Sequence, residues 1–146
     1  MAGSKKDSFE NSLLLLIFNN TTVANIGSDG LRGSTTPGSL YIALYSAGVT
    51  DSAQGTELSY SGYGRIAVAR ASGAGGWTVS GNNASNASAV TFAQNAGASQ
   101  TAAFFAVCKA GSTGVDDAIY WGDCSLVIGT SVTPEFAIGD LDVNED

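Results

Sequence analysis

Hydrophobic and polar positions along this chain change period once. Between residues 7 and 19, Phe9, Leu13, Leu16 and Ile17 recur at helical spacing, continued by Asn20, while Leu14, Leu15 and Phe18 make the apolar surface broad. Asp7 stands where an N-cap belongs and Glu10 follows three residues later, the capping-box spacing. A helix that is apolar on most sides is buried on most sides, against its own domain, a neighbouring subunit or both. The pattern predicts that Leu13, Leu16 and Ile17 are buried within the protomer and that another part of the helix touches a second subunit. Phe9, Leu13, Leu14, Leu16, Ile17 and Phe18 are therefore the helical interface candidates.

From residue 40 onward the period is two. Leu40–Tyr45 alternates aliphatics with Tyr and Ala, as a strand packed on both faces does. Further strands are expected at Gly64–Arg70, Trp77–Val79, Ala89–Phe92, Ala102–Lys109, Ala118–Trp121, Leu126–Ile128 and Val132–Ile138, with a short extended piece at Leu141–Val143. Residues 21–39 and Gly81–Ser88 read as polar loops, and Gly48–Gly55, Gly73–Gly76 and Ala110–Asp117 as turns. Short strands joined by short Gly-rich turns pair antiparallel, because parallel pairs need crossovers of a dozen or more residues. The expected fold is mainly β: an antiparallel β-sandwich or jelly roll of about eight strands with one short N-terminal helix. The organisation is a single domain, with residues 1–20 as tail and helix, 21–39 as loop and 40–146 as the β-sandwich.

Composition narrows the function. Only 13% of the 146 residues are charged, against about 25% in ordinary soluble domains, while 44% are hydrophobic and 19 are Gly, so the chain is folded and turn-rich. The net charge is −7, and Lys5 and Lys6 leave only Arg32, Arg65, Arg70 and Lys109 for the body. Four scattered cations do not track a phosphate backbone or an anionic membrane, so neither nucleic acid nor membrane is an expected partner. The Leu13–Phe18 run falls short of the roughly 20 residues of a spanning helix. Asp7 and Glu10 stand where a secretory leader would carry positive charge. The Asn-x-Ser/Thr matches at Asn19, Asn20, Asn83 and Asn86 read as chance in a chain rich in these residues.

Candidate chemistry is sparse. His is absent, which removes the commonest general base and metal ligand. Cys108 and Cys124 lie in apolar runs and read as free thiols rather than a bridge. A nucleophile would need Lys109 as its base, and no motif points there. Asp116 and Asp117 read as a solvated turn; with Asp123 they form no EF-hand spacing. Gly73–Gly76 lacks the Lys-Ser/Thr ending of a phosphate loop. Tyr41, Tyr45, Tyr60, Tyr63, Trp77 and Trp121 are the material of a carbohydrate platform, but packing is the commoner use of such residues. Arg65 is placed to pair with Glu57 across a hairpin, worth roughly 0–1 kcal/mol at a surface. Asp140, after Gly139, is placed to bond backbone amides in a turn. No catalytic, metal or cofactor site is expected, and the chain is not expected to be an enzyme.

Taken in order, these blocks form a pattern: an apolar N-terminal helix over Phe9–Asn20; Leu40–Tyr45; Gly55–Ser59 followed by Gly62-Tyr63-Gly64-Arg65; Ser85-Asn86 with Ala89–Phe92; Phe104–Cys108 followed by Tyr120-Trp121-Gly122; and Phe136 with Gly139-Asp140-Leu141 and Val143. The pattern, spanning residues 8 to 143, resembles small virion proteins of tailed bacteriophages, tail-fibre-like or head-decoration-like. The resemblance implies a structural component of the virion, assembled in the host cytoplasm, without a catalytic site. Cys108, Cys124, the 26–39 loop and the acidic ending depart from it.

No shaft-like repeat occurs, which favours a capsid decoration or cement protein that binds the outside of the head, bridges capsid subunits and contacts the major capsid protein. The alternatives are a tail or tail-fibre component contacting tail proteins, and a secreted carbohydrate-binding module. In either virion role a homo-oligomer is expected. Residues 135–146 carry Glu135, Asp140, Asp142, Glu145 and Asp146 with no Lys or Arg after Lys109, so Glu135, Asp140 and Asp142 join the interface candidates, facing basic groups of a partner.

Overall fold

The computed structural model describes residues 4–145. It is mainly β, with antiparallel sheets and one N-terminal helix, as the sequence predicts. The chain divides into two compact units, each drawn from separate stretches: a terminal unit of Met1–Ser39, Ala69–Ser88 and Ala137–Asp146, and a central unit of Leu40–Val68 and Ala89–Phe136.

In the terminal unit, helix α1 spans Asp7–Asn19, as its periodicity predicts. Its N-cap is Lys6, in extended conformation and without a side-chain cap bond, so Asp7 is the first helical residue and not the cap. The buried stripe also differs from expectation. Leu14 and Phe18 are fully buried and Glu10 nearly so, whereas Leu13, Leu16 and Ile17 are half-buried. With apolar residues on nearly every side, periodicity does not choose the face. What chooses it is Phe18, whose ring meets buried Trp77 edge-on at 4.6 Å. Asn20, with φ of 58°, closes the helix in the left-handed region. The last turn carries no basic residue of its own. Arg70 supplies one from elsewhere in the chain: its Nε donates to Ile17 O and its Nη2 to Leu16 O, each at 2.7 Å, satisfying carbonyls left open by the end of the helix.

Trp77 opens strand β4 (Trp77–Ser80), which turns through Gly81 and Asn82 into β5 (Asn83–Asn86). Strand β10 (Asp142–Asn144) pairs on the far side of β5, giving an antiparallel sheet in the order β10-β5-β4. Sequence reading places a loop at Gly81–Ser88, because Asn83-Ala-Ser-Asn86 carries no large apolar residue. The strand forms because Ala84 and Asn86 turn inward and the amide of Asn86 is fully bonded in place. Its Nδ2 donates to Ser88 O and Ala137 O, each at 2.8 Å, and its Oδ1 accepts from the N–H of Leu141 at 2.9 Å.

The central unit holds a five-stranded sheet. Strand β1 (Ser39–Ala47) pairs β2 (Thr56–Glu57), β3 (Ile66–Ala69) and β7 (Gln100–Cys108), and β7 pairs β8 (Ala118–Ile128). A two-stranded ladder joins β6 (Val90–Thr91) to β9 (Glu135–Phe136). The ten strands, counted among the described residues, exceed the eight expected. Two expected strands, Ala118–Trp121 and Leu126–Ile128, are one strand of 11 residues. Gly122–Ser125 looked like a break by composition, but β7 continues the ladder through it. In contrast, only Glu135–Phe136 of the expected Val132–Ile138 strand is paired as a strand.

On one side of the sheet Phe105, Phe136, Phe92, Tyr63 and Tyr60 follow one another in ring contacts of 5.2–6.3 Å. Gly122 lies opposite Phe105 in the ladder, and a Cβ there would stand 2.6 Å from the Phe105 ring. The glycine leaves space for the ring to lie across the strand. Gly122→Ala forces the ring out of its rotamer or moves the strand, an overpacking cost of about 1–3 kcal/mol. A lowered urea midpoint with unchanged slope is the expected result; Gly64→Ala, where a Cβ meets nothing within 4 Å, should leave the midpoint nearly unmoved.

Candidate functional site

The densest polar cluster lies in the central unit around Arg65, which precedes β3. Its side chain is fully buried, so each of its five N–H groups needs an acceptor. Nε and Nη2 grip both oxygens of Glu57 at 2.9 and 3.0 Å, the planar two-point geometry that suits a guanidinium. Nη1 donates to Asp117 Oδ1 at 2.8 Å and to Ala110 O at 2.7 Å; Nη2 also reaches Val115 O at 3.2 Å and Tyr45 Oη at 3.3 Å.

One cation thus stands against two carboxylates, and other donors share the excess negative charge. Glu57 also accepts from the Tyr63 hydroxyl and the Gly114 N–H, each at 2.9 Å, and Asp117 accepts from the Ala110 N–H. Gln54 completes the ring of contacts: its Oε1 accepts from the N–H groups of Asp117 and Ala118 at 3.0 Å, and its Nε2 donates to Val115 O at 2.8 Å and to the Tyr45 hydroxyl.

Sequence reasoning paired Arg65 with Glu57 correctly but placed the pair at a surface; it is buried. Asp117, read as half of a solvated turn, is the second buried counter-ion, while Asp116 remains exposed. Asp117, Gln54 and the Tyr45 hydroxyl were all missed. The available signal was scarcity: in a chain with four body cations, a cation beside a strand is spent on structure.

Charge states follow the geometry. Burial pulls the Arg65 guanidinium down, but its bonds to Glu57 and Asp117 outweigh burial and hold it above its ordinary value. Burial lifts the Tyr45 and Tyr63 hydroxyls above the usual phenol range. Burial also raises the Cys108 thiol from 9.0 to about 11, and burial with the nearby Asp123 does the same for Cys124. Both cysteines are free. At neutral pH these thiols are protonated and therefore weak nucleophiles.

The interface candidates differ in exposure. Phe9, Leu13, Leu16 and Ile17 are half-buried on α1, but Leu14 and Phe18 have no exposed surface to offer a partner. The acidic candidates find partners within the chain. Asp140 accepts from the N–H of Ala137 at 2.9 Å, the turn bond expected of it. Asp142 accepts from Asn83 Nδ2, and Glu135 from the Thr91 hydroxyl. Glu145 pairs with Lys5 at 2.9 Å; Asp146 lies outside the described residues. Of the aromatic candidates, Tyr45, Tyr60 and Trp77 are buried and Tyr41 and Tyr63 half-buried, whereas Trp121 is 39% exposed.

Two outcomes are expected. Arg65→Met leaves two buried carboxylates uncompensated and costs about 3–5 kcal/mol in chemical denaturation, whereas exchanging the exposed Arg32 costs under about 0.5 kcal/mol. The second concerns alkali. The folded state holds its thiol protons more tightly than the unfolded chain, so stability is intact below pH 9.0 and falls as pH rises toward about 11. The melting temperature should drop across that window, and drop less in Cys108→Ala, with thiol-reagent labelling rising in parallel.

Among the described residues no three His, Cys, Asp or Glu side chains are grouped to hold a metal ion, and no helix is long and apolar enough to cross a membrane. No curated protein matches the chain. A protein-family model, described as podophage GP4 fiber I protein gp80, matches residues 7–144. That span takes in every ordered block of the sequence pattern, from α1 to β10, and the chain belongs to this family of tailed-phage virion proteins.

Proposed function

We propose that the chain is a non-enzymatic structural subunit of a tail fibre, which self-associates and contacts other tail proteins. The observation that carries this reading is the family match over residues 7–144, whose description names a fibre protein. It favours the tail-fibre alternative over capsid decoration. The absence of catalysis rests on how the reactive groups are used. Arg65 anchors backbone, Arg70 closes a helix, and both thiols are held in their protonated form. The remaining body lysine, Lys109, is exposed on the turn after β7. Nucleic acid and membrane are not partners in this reading.

Self-association is assigned to the outer side of α1. Phe9, Leu13 and Leu16 lie away from the buried Glu10–Leu14–Phe18 stripe and remain half-buried. Removing the whole helix would also remove the Phe18–Trp77 contact, so point substitutions are the sharper test. Leu13→Gln with Leu16→Gln should leave the melting temperature within a few degrees of wild type yet shift sedimentation toward the monomer. Imaging particles that carry a tagged chain should place the density on the tail. Density on the head surface would remove the fibre reading; unchanged sedimentation of the double variant would remove α1 as the contact.

A further inference from the structure

We propose that the cleft beside Trp121 in the central unit is a binding site for a neutral saccharide, sized for one sugar ring. Four features of the cleft point to this ligand: a part-exposed aromatic at its border, unpartnered carboxylates, hydroxyls next to them, and a backbone that is already fixed. The proposal does not depend on where in the virion the chain sits.

The aromatic comes first. Trp121 lies on β8 directly opposite Ala106 of β7, which in turn lies opposite Ala43 of β1. Paired residues share a face, so the indole sits at the end of a row whose other members are alanines. Val49 packs into the buried cluster that contains Ala43 and Ala106, and the chain then continues along Thr50–Gln54. A cleft of about 170 Å³ lies between this segment and Trp121. That is the space of five or six waters, below the range of a drug-sized ligand and suited to a single ring or side chain. Trp121, 39% exposed, borders the cleft, where part of its indole can meet the C–H face of a pyranose.

The polar lining supplies the rest. Asp51 and Asp116 are exposed carboxylates at the cleft, and Thr50 and Ser52 bring hydroxyls to the same wall. Sugar hydroxyls both donate and accept: carboxylates take their protons, and the Ser and Thr hydroxyls serve in either direction. No Lys or Arg lines the cleft, so an acidic sugar would meet only like charge. A bare cation would use the carboxylates but leave the hydroxyls and most of the indole face idle.

The walls are held before any ligand arrives. Thr50 and Ala53 exchange backbone hydrogen bonds at 2.9 and 3.3 Å, which fixes the 50–53 turn. Gln54 then bonds the N–H groups of Asp117 and Ala118, locking that turn to the strand that carries Trp121. The backbone of the cleft is therefore in place beforehand, and a ligand has only its exposed side chains to order.

The test is a titration of the full chain with glucose, galactose, mannose, N-acetylglucosamine and a neutral trisaccharide, read by protein-observed NMR and tryptophan emission. Sialic acid and arginine methyl ester serve as the acidic and cationic comparisons. At least one neutral sugar should bind with a dissociation constant of about 1 mM, the scale for a dozen heavy atoms at ordinary ligand efficiency. Shifts should centre on residues 50–54 and 116–121, and the Trp121→Phe variant, with Trp77 as the remaining indole, should lose the emission change. Trp121→Ala should abolish binding, and Asp51→Asn and Asp116→Asn should each weaken it roughly tenfold or more, the two Asn variants at wild-type melting temperature. If no neutral sugar shifts these residues, if binding survives Trp121→Ala, or if only arginine methyl ester binds, the proposal is overturned. A trisaccharide that binds more tightly than its monomers would identify the ligand as part of a polymer; equal affinity would identify a free or terminal sugar.

Discussion

A guanidinium held out of water must have every N–H bonded, and much of the central unit is arranged to meet that demand around Arg65. The requirement reaches from Glu57 on β2 to Asp117 beside β8 and to the carbonyls of Ala110 and Val115 in between. The connection from Lys109 to Asp117 has little apolar content, and packing alone would not hold it in one conformation. Charge does so instead. A buried ion pair adds little net stability over an apolar replacement of the same shape. Its effect here is to select one arrangement, because any other path of that connection leaves a buried charge unpaired.

The same device recurs without charge. Asn86 in the terminal unit and Asn95 in the central unit are both essentially inaccessible to water, and each side chain makes three hydrogen bonds to backbone groups. Arg70, with its charge, does comparable work for the last turn of α1. In a chain with so few charged residues, polar side chains in the interior hold irregular segments in place. This is a use suited to a structural protein, and it leaves few of these groups free for chemistry.

What the sequence made legible follows from which signals are periodic. Helix α1 and strands β1 and β7 carry long apolar runs with a clear period, and their positions agree with the structure to within two or three residues. Strand β5 was hidden because its inward positions are Ala84 and Asn86, which look like loop residues until the bonds of Asn86 are known. Strand β8 was split in two because Gly122, Asp123, Cys124 and Ser125 interrupt its apolar composition, although the glycine is there to admit Phe105 from the neighbouring strand. The Arg65 site was half legible: Glu57 is eight residues away and falls within a hairpin's reach, whereas Asp117 is 52 residues away and only the fold brings it there. The face of α1 was not legible at all, since an all-round apolar helix takes its orientation from its partner, in this case Trp77.

The interleaving of the two units has a consequence for synthesis. The terminal unit needs β10, at residues 142–144, to complete its sheet on β5, yet α1 leaves the ribosome ahead of every other described element. At translation rates of about 5–20 residues per second, roughly 6 to 25 seconds separate the two. Through that interval Leu14 and Phe18 have an unfinished surface to bury themselves in, and α1 waits longest for the completion of its sheet. The apolar N-terminal segment is therefore the point at which newly made chains are most apt to stick to one another, and the pace of translation through residues 20–140 sets how long that hazard lasts.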